Sequence, residues 1–114
     1  MEGIIYCFTN PSNNKRYIGQ TTNETARLKQ HKGFSLKGGT PFYDDMKEIG
    51  FENFKYEVLN RVEATTQSAL DKGLNELERN YIKAYKSNNP EFGYNRDTGG
   101  GYKRDKKWQW QYGL

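Results

Sequence analysis

Two short runs rich in Ile, Tyr and Phe open the chain, residues 3–9 and 15–21, with Asn10-Pro11-Ser12-Asn13-Asn14 between them. Apolar runs separated by such turn residues predict a β-hairpin. Side chains alternate along a strand, so Ile4, Tyr6 and Phe8 share one face, and Tyr17 and Gly19 share a face of the partner. Where those faces coincide, Tyr6 and Tyr17 become cross-strand neighbours. Thr21-Thr22-Asn23-Glu24 has capping-box spacing. It predicts a short helix that stops at Gly33, a residue suited to a left-handed C-terminal position. Arg27 and His31 are four apart and project from one face of that helix. The Gly/Lys-rich stretch 33–40 reads as a loop. Pro41 then opens a second helix through Glu48, ended by Gly50.

The period changes after Gly50. Residues 54–62 alternate, with Phe54, Tyr56, Val58 and Val62 on one side and Lys55, Glu57 and Arg61 on the other. That is the pattern of a half-buried strand. Thr65-Thr66 begins the longest helix, which runs to Lys86 with Leu70, Leu74, Leu77 and Tyr81 as its apolar stripe. Glu78 lies at the edge of the stripe, near Ile82 and Tyr85, whereas Glu76 points away. A carboxylate there must be paired or metal-bound, or it weakens the fold. Gly93-Tyr94-Asn95 precedes a Gly-rich link and the basic run Lys103, Arg104, Lys106, Lys107, with Trp108 and Trp110 beyond. We therefore divide the chain into a domain over 1–97 and a basic Gly/Lys/Trp-containing tail over 98–114.

Composition changes this picture in three ways. The chain has 114 residues, room for one domain, and nine Tyr, six Phe and two Trp supply the core that its few aliphatic residues would not. No run approaches the ~18 apolar residues of a membrane span, and the N-terminus lacks a secretory pattern, so an intracellular, cytoplasmic protein is expected. The single cysteine, Cys7, excludes an internal disulfide and a Cys-based zinc site. The net charge is +4, divided as +4 over residues 1–40, -5 over 41–78 and +5 over 79–114. Basic segments flanking an acidic one suit a polyanionic partner with a metal-binding spot between basic arms, although chance clustering on a solvated surface gives the same profile.

The motifs together resemble the GIY-YIG nuclease family. Gly3-Ile4-Ile5-Tyr6 carries one extra Ile relative to the family name, and Tyr17-Ile18-Gly19 follows about ten residues later. Arg27 and His31 match the family's Arg-x-x-x-His, Glu78 its glutamate ahead of an aromatic-Ile pair, and Gly93-Tyr94-Asn95 its closing motif. Within the family the chain looks most like the phage and homing-endonuclease branch. The resemblance implies a small α/β fold, a central three-stranded antiparallel sheet flanked by helices. It also implies a divalent-metal-dependent endonuclease that leaves 5′-phosphate and 3′-hydroxyl ends on DNA. Some homing-type members carry a second histidine shortly after the first helix; residues 36–40 hold none.

By that resemblance Tyr6 is the general base for the attacking water and Glu78 the metal ligand. Mg²⁺ suits a single carboxylate because it keeps several waters and binds substrate phosphate; Mn²⁺ is the alternative. Arg27 braces a phosphate oxygen, and His31 relays or accepts a proton. Tyr17 bonds the phosphate or the water, and Asn95 orients the site. A nearby cation, Arg27 or the metal, is expected to favour the Tyr6 phenolate. Lys15, Arg16 and Lys37, with Lys103, Arg104, Lys106 and Lys107 of the tail, are the candidate nucleic-acid contacts. RNA stays open as a substrate, since phosphate contacts look alike in both. Specificity is expected to be low, or supplied by a homodimer or a separate partner. Each residue alone has an ordinary reading: a core tyrosine, a surface histidine, a solvated arginine, an ion-paired glutamate. Jointly those readings do not account for the order and spacing. The remaining alternative is a module of the same fold that binds nucleic acid without cutting.

Overall fold

The computed structural model describes residues 1–99; the tail residues Lys103, Arg104, Lys106, Lys107, Trp108 and Trp110 lie outside them. Strands β1 (Glu2–Thr9) and β2 (Arg16–Thr21) form the hairpin, followed by helices α1 (Glu24–Lys37) and α2 (Pro41–Ile49). A 3-10 turn, Phe51–Asn53, leads into β3 (Lys55–Glu63), and α3 (Gln67–Tyr85) follows. The sheet is antiparallel with order β2-β1-β3. This is the α/β architecture expected, a three-stranded antiparallel sheet flanked by helices. β1 is central and buried on both faces from Gly3 to Thr9, so its apolar run is nearly continuous.

The two faces of β1 build two cores. Ile4, Tyr6 and Phe8 pack with Tyr17, Phe42, Tyr43, Met46 and Phe54, an aromatic layer under α1 and α2. Ile5 and Cys7 pack with Ile18, Leu70, Leu74 and Ile82, an aliphatic layer under α3. The outer edge of β2 is covered by residues 92–95, which bond the backbone of Arg16. Gly93 is required there: a Cβ would stand 2.6 Å from the Arg16 carbonyl oxygen. Covering the edge removes a row of unpaired backbone groups.

Several local expectations are corrected. Helix α1 does not stop at Gly33 but continues to Lys37, because Ser35 is buried and Phe34 packs on the aromatic core. Gly38, at φ 73°, takes the capping position instead. The N-cap is Asn23, whose side chain accepts from the Ala26 N–H at 3.1 Å, so Thr21-Thr22-Asn23-Glu24 does not act as a capping box. Helix α3 has Thr66 as N-cap and Lys86 as its left-handed C-terminal residue. On β3, Val58 packs in the aromatic core but Val62 in the aliphatic one. The register with β1 shifts between Ile5 and Tyr6, where Ile5 faces Asn60 and Tyr6 faces Val58. That bulge inserts Leu59 and turns the rest of the strand over.

Candidate active site

Tyr6 is opposite Gly19, and Tyr17 is opposite Phe8. Tyr6 and Tyr17 are therefore diagonal rather than direct neighbours, with ring centroids 6.4 Å apart. A Cβ on Gly19 would overlap the Tyr6 ring carbon Cζ and the phenol oxygen. The absent side chain at Gly19 is thus what lets the phenol lie flat against β2. Tyr17 stacks on Phe42 with centroids 4.5 Å apart.

Helix α1 brings Arg27 and His31 onto this layer, as their spacing predicts. His31 is fully buried at 0% exposure, unlike an ordinary surface histidine. Its Nε2 lies 2.6 Å from Tyr6 Oη and its Nδ1 lies 2.8 Å from Tyr43 Oη. Arg27 Nε donates to Tyr6 Oη at 3.2 Å, and Arg27 Nη1 donates to Gln30 Oε1 at 2.7 Å. Arg27 Nη2 is buried and has no hydrogen-bond partner among the described residues. A buried guanidinium N–H left unpaired calls for an acceptor beyond the described residues, such as a phosphate oxygen.

Burial decides the proton affinities. It lowers the His31 pKa well below 6.5, helped by the Arg27 charge, so the imidazole is neutral at pH 7. It raises Tyr6 above 10.0; Arg27 pulls the other way by charge and hydrogen bond, and Glu78 adds to the rise. The sequence expectation is that Arg27 or the metal favours the Tyr6 phenolate. Arg27 acts in that direction, but desolvation is the larger effect. Tyr17 is raised well above 10.0, again by burial first. Arg27 itself remains charged: the neighbouring phenols raise its pKa against the desolvation that would lower it.

Glu78 stands on the other layer, on α3. Gln20, which points toward α3 like Ile18, donates from Nε2 to Asn75 Oδ1 at 2.8 Å and to Glu78 Oε1 at 3.3 Å. The backbone passes close again at Gly99, where a Cβ would be 3.2 Å from Glu78 Oε1. The carboxylate's charge is felt at both Tyr6 and Tyr17. The site therefore straddles β2, with phenols, imidazole and guanidinium on one side and the carboxylate on the other. Among the described residues no group of three or more His, Cys, Asp or Glu is placed to hold a metal.

The remaining predicted residues lie further out. Asn95 pairs with the Ile18 backbone, accepting from its N–H at 2.9 Å and donating to its carbonyl at 2.9 Å. Its amide extends the sheet beyond β2. Arg16 lies over the Tyr85 ring, 4.5 Å from the centroid. It sits three residues from Gly19, roughly 10 Å along the strand, and is not brought to the phenol cluster. Lys15 is partly exposed at the hairpin end, and Lys37 is exposed on the last turn of α1. Three residues at the site went unread. Gln20 follows the Tyr-Ile-Gly motif and alternates with Ile18; Asn75 is three residues before Glu78 on the same helix face; both signals were available. Tyr43 beside Phe42 carried none.

A model of the GIY-YIG catalytic domain matches residues 2–95. The chain belongs to the GIY-YIG family, and it is a nuclease domain. Among solved structures it is similar to the catalytic domain of the intron endonuclease I-TevI in a mutant form, with TM-score 0.67 and 22% identity over 87% of this chain and 97% of that one. At that identity the likeness is one of fold. No curated protein matches the sequence. No helix among the described residues is long and apolar enough to cross a membrane.

Proposed function

We propose that this chain is a Mg²⁺-dependent endonuclease that hydrolyses DNA phosphodiester bonds, leaving 5′-phosphate and 3′-hydroxyl ends. The observation that carries the reading is the buried Arg27 Nη2, without a partner among the described residues, beside a Tyr6–His31 hydrogen bond of 2.6 Å. An anion site next to a proton-transfer pair suits attack of water on phosphorus. Arg27 holds a non-bridging phosphate oxygen through Nη2 while its Nε keeps the Tyr6 oxygen in place. Tyr6 takes the proton of the attacking water. His31, neutral at pH 7, receives the phenol's own proton. Tyr17 bonds the phosphate, and Asn95 keeps β2 and the closing segment in register.

The donor set fits a hard cation that asks little of the protein. One half-buried carboxylate, Glu78, is steadied by the Gln20 amide, which leaves the rest of a Mg²⁺ or Mn²⁺ shell to water and substrate phosphate. Such an ion would supply charge relief at the phosphate and at the departing oxygen. Lys15, Lys37 and the Arg16 charge meet the duplex backbone at the periphery. The tail's basic run is assigned to the same backbone. The approach of Gly99 to Glu78 supports this, since that run follows closely in sequence. Sequence specificity is low, or a homodimer or a separate chain supplies it.

Supercoiled plasmid tests the reading. Purified chain should nick it in Mg²⁺, fail in EDTA, and lose activity to below detection in Glu78→Ala while the circular dichroism of the fold is kept. An active Glu78→Ala chain sinks the ligand assignment. A chain that shifts DNA on a gel but cuts under no divalent ion is a binding module instead.

A further inference from the structure

Tyr43 has no part in the steps above, yet it holds one of the two ring nitrogens of His31. The imidazole is 0% exposed and lies between two phenols, Tyr6 at Nε2 and Tyr43 at Nδ1. A neutral imidazole carries one N–H and one bare nitrogen, so one phenol must donate and the other accept. Two arrangements are possible. In the first, Nδ1–H donates to Tyr43 and bare Nε2 accepts from the Tyr6 hydroxyl. In the second, Tyr43 donates to Nδ1 and Nε2–H donates to Tyr6. Only the first lets His31 receive the proton of Tyr6.

The distances select between them: 2.6 Å at Nε2 is shorter than N–H···O bonds run and fits the Tyr6 O–H as donor, whereas 2.8 Å at Nδ1 lies within the N–H···O range. The Tyr6 oxygen already accepts from Arg27 Nε at 3.2 Å. In the first arrangement it accepts once and donates once, to Nε2. In the second it accepts twice and its own hydrogen turns elsewhere; the equally buried Tyr43 hydroxyl does the same in the first, so the count alone is even and the distances decide. The groups facing the ring include one charged side chain. They are Tyr6 and Phe8 of β1, Tyr17 of β2, Arg27 of its own helix, and Phe42 and Tyr43 of α2. Arg27 is the charged group among them, and the Tyr43 hydroxyl keeps its proton, held by burial.

We infer that Tyr43 is a positioning residue: its oxygen accepts Nδ1–H and so holds His31 in the tautomer whose bare Nε2 takes the Tyr6 proton. The inference rests on the proposed mechanism for the use made of that proton. In the step, the Tyr6 O–H bond breaks and an Nε2–H bond forms, with no change in electron count. The phenolate is left beside Arg27, and the imidazolium donates to Tyr43 and back to Tyr6. The phenolate then takes the proton of the attacking water, and the proton on Nε2 leaves to solvent with the product.

The chain has one histidine, so ¹⁵N-imidazole labelling reads His31 alone. At neutral pH the intact chain should show a protonated-type Nδ1 and a bare-type Nε2, and Tyr43→Phe should move the pattern toward Nε2–H. In plasmid nicking, Tyr43→Phe should be about 10–100-fold slower near neutral pH. The gap should narrow as pH rises, because hydroxide then removes the Tyr6 proton without His31. A purely structural role would leave the ratio the same at every pH. An Nε2–H tautomer in the intact chain overturns the inference, and so does a pH-independent loss. The spectrum of the intact chain decides the tautomer even if the variant fails to fold. A chain with the Nδ1–H pattern that cuts no DNA refutes the nuclease mechanism and leaves the tautomer assignment standing.

Discussion

The two faces of β1 are made from alternate residues of one strand, yet they do different work. On the α3 side, Ile5 and Cys7 meet Ile18, Leu70, Leu74 and Ile82, all at 1% exposure or less. This layer is dry and aliphatic, and it stabilises the fold through removed apolar area, at about 25 cal/mol per Å². On the α1 and α2 side, Tyr6 and Phe8 meet Tyr17, Phe42 and Tyr43, and His31 lies in their midst. These rings also bury large areas, but their polar tips must be satisfied. They are joined as Arg27–Tyr6–His31–Tyr43. One layer buys stability without chemistry; the other makes its packing out of groups that can move protons. Glu78 stands at the margin of the dry layer and meets Gln20 at the edge of the sheet, so the site depends on both.

Four changes separate the layers. Leu74→Ala should have the largest effect, lowering stability by about 2–5 kcal/mol through a cavity in the aliphatic layer. Below the melting range its nicking rate per folded molecule should stay near that of the parent chain, as denaturant titration and nicking on the same sample would show. A rate loss that outruns the folded fraction would mean the two layers are coupled. Tyr6→Phe should do the reverse. It keeps the ring and removes the oxygen, so nicking should slow at least ~100-fold. An unchanged rate would pass the base role to His31 or bulk water.

Gly19→Ala should slow nicking about 10–100-fold, because the new methyl must push the Tyr6 ring aside and small misplacements of reacting groups are expensive. A near-normal rate would show that the phenol need not lie flat on β2. The smallest effect is in the pH dependence of stability. His31 has its pKa lowered from 6.5, so the unfolded chain takes up a proton that the folded chain refuses. Its contribution is complete above about 6.5 and declines as pH falls below it. Tyr6 and Tyr17 are raised from 10.0, so their contribution is complete below about 10 and is lost as pH rises through their folded values. Thermal melts from pH 4 to 11 should show a plateau between those limits, and His31→Phe should flatten the acid side alone. An acid slope that survives in His31→Phe would trace it to the carboxylates.

Much of this is legible in the amino-acid sequence. The hairpin followed from Ile/Tyr/Phe runs around Asn10–Asn14, α3 from the Leu70, Leu74, Leu77 and Tyr81 stripe, and the shared face of Arg27 and His31 from a spacing of four. These features are local, set by backbone period and turn chemistry within a few residues. The errors have the opposite character. Gly33 has the local marks of a helix end, but Phe34 and Ser35 gain burial when the helix continues through it. Val62 changed layers because a bulge arises from pairing two strands and leaves no mark on either alone.

The site divides along the same line. The resemblance of the chain's motifs to the GIY-YIG family nominates Tyr6, Tyr17, Arg27, His31, Glu78 and Asn95. How they meet was a matter of packing between distant segments. Tyr6 reaches His31 across 25 positions, Gln20 reaches Glu78 across 58, and Asn95 reaches Ile18 across 77. The rise in the Tyr6 pKa, the partnering of Tyr43 with Nδ1 and the structural use of the Asn95 amide all depend on which groups surround a buried atom. Periodicity along a chain carries no such information, because desolvation and hydrogen-bond pairing are properties of the assembled interior.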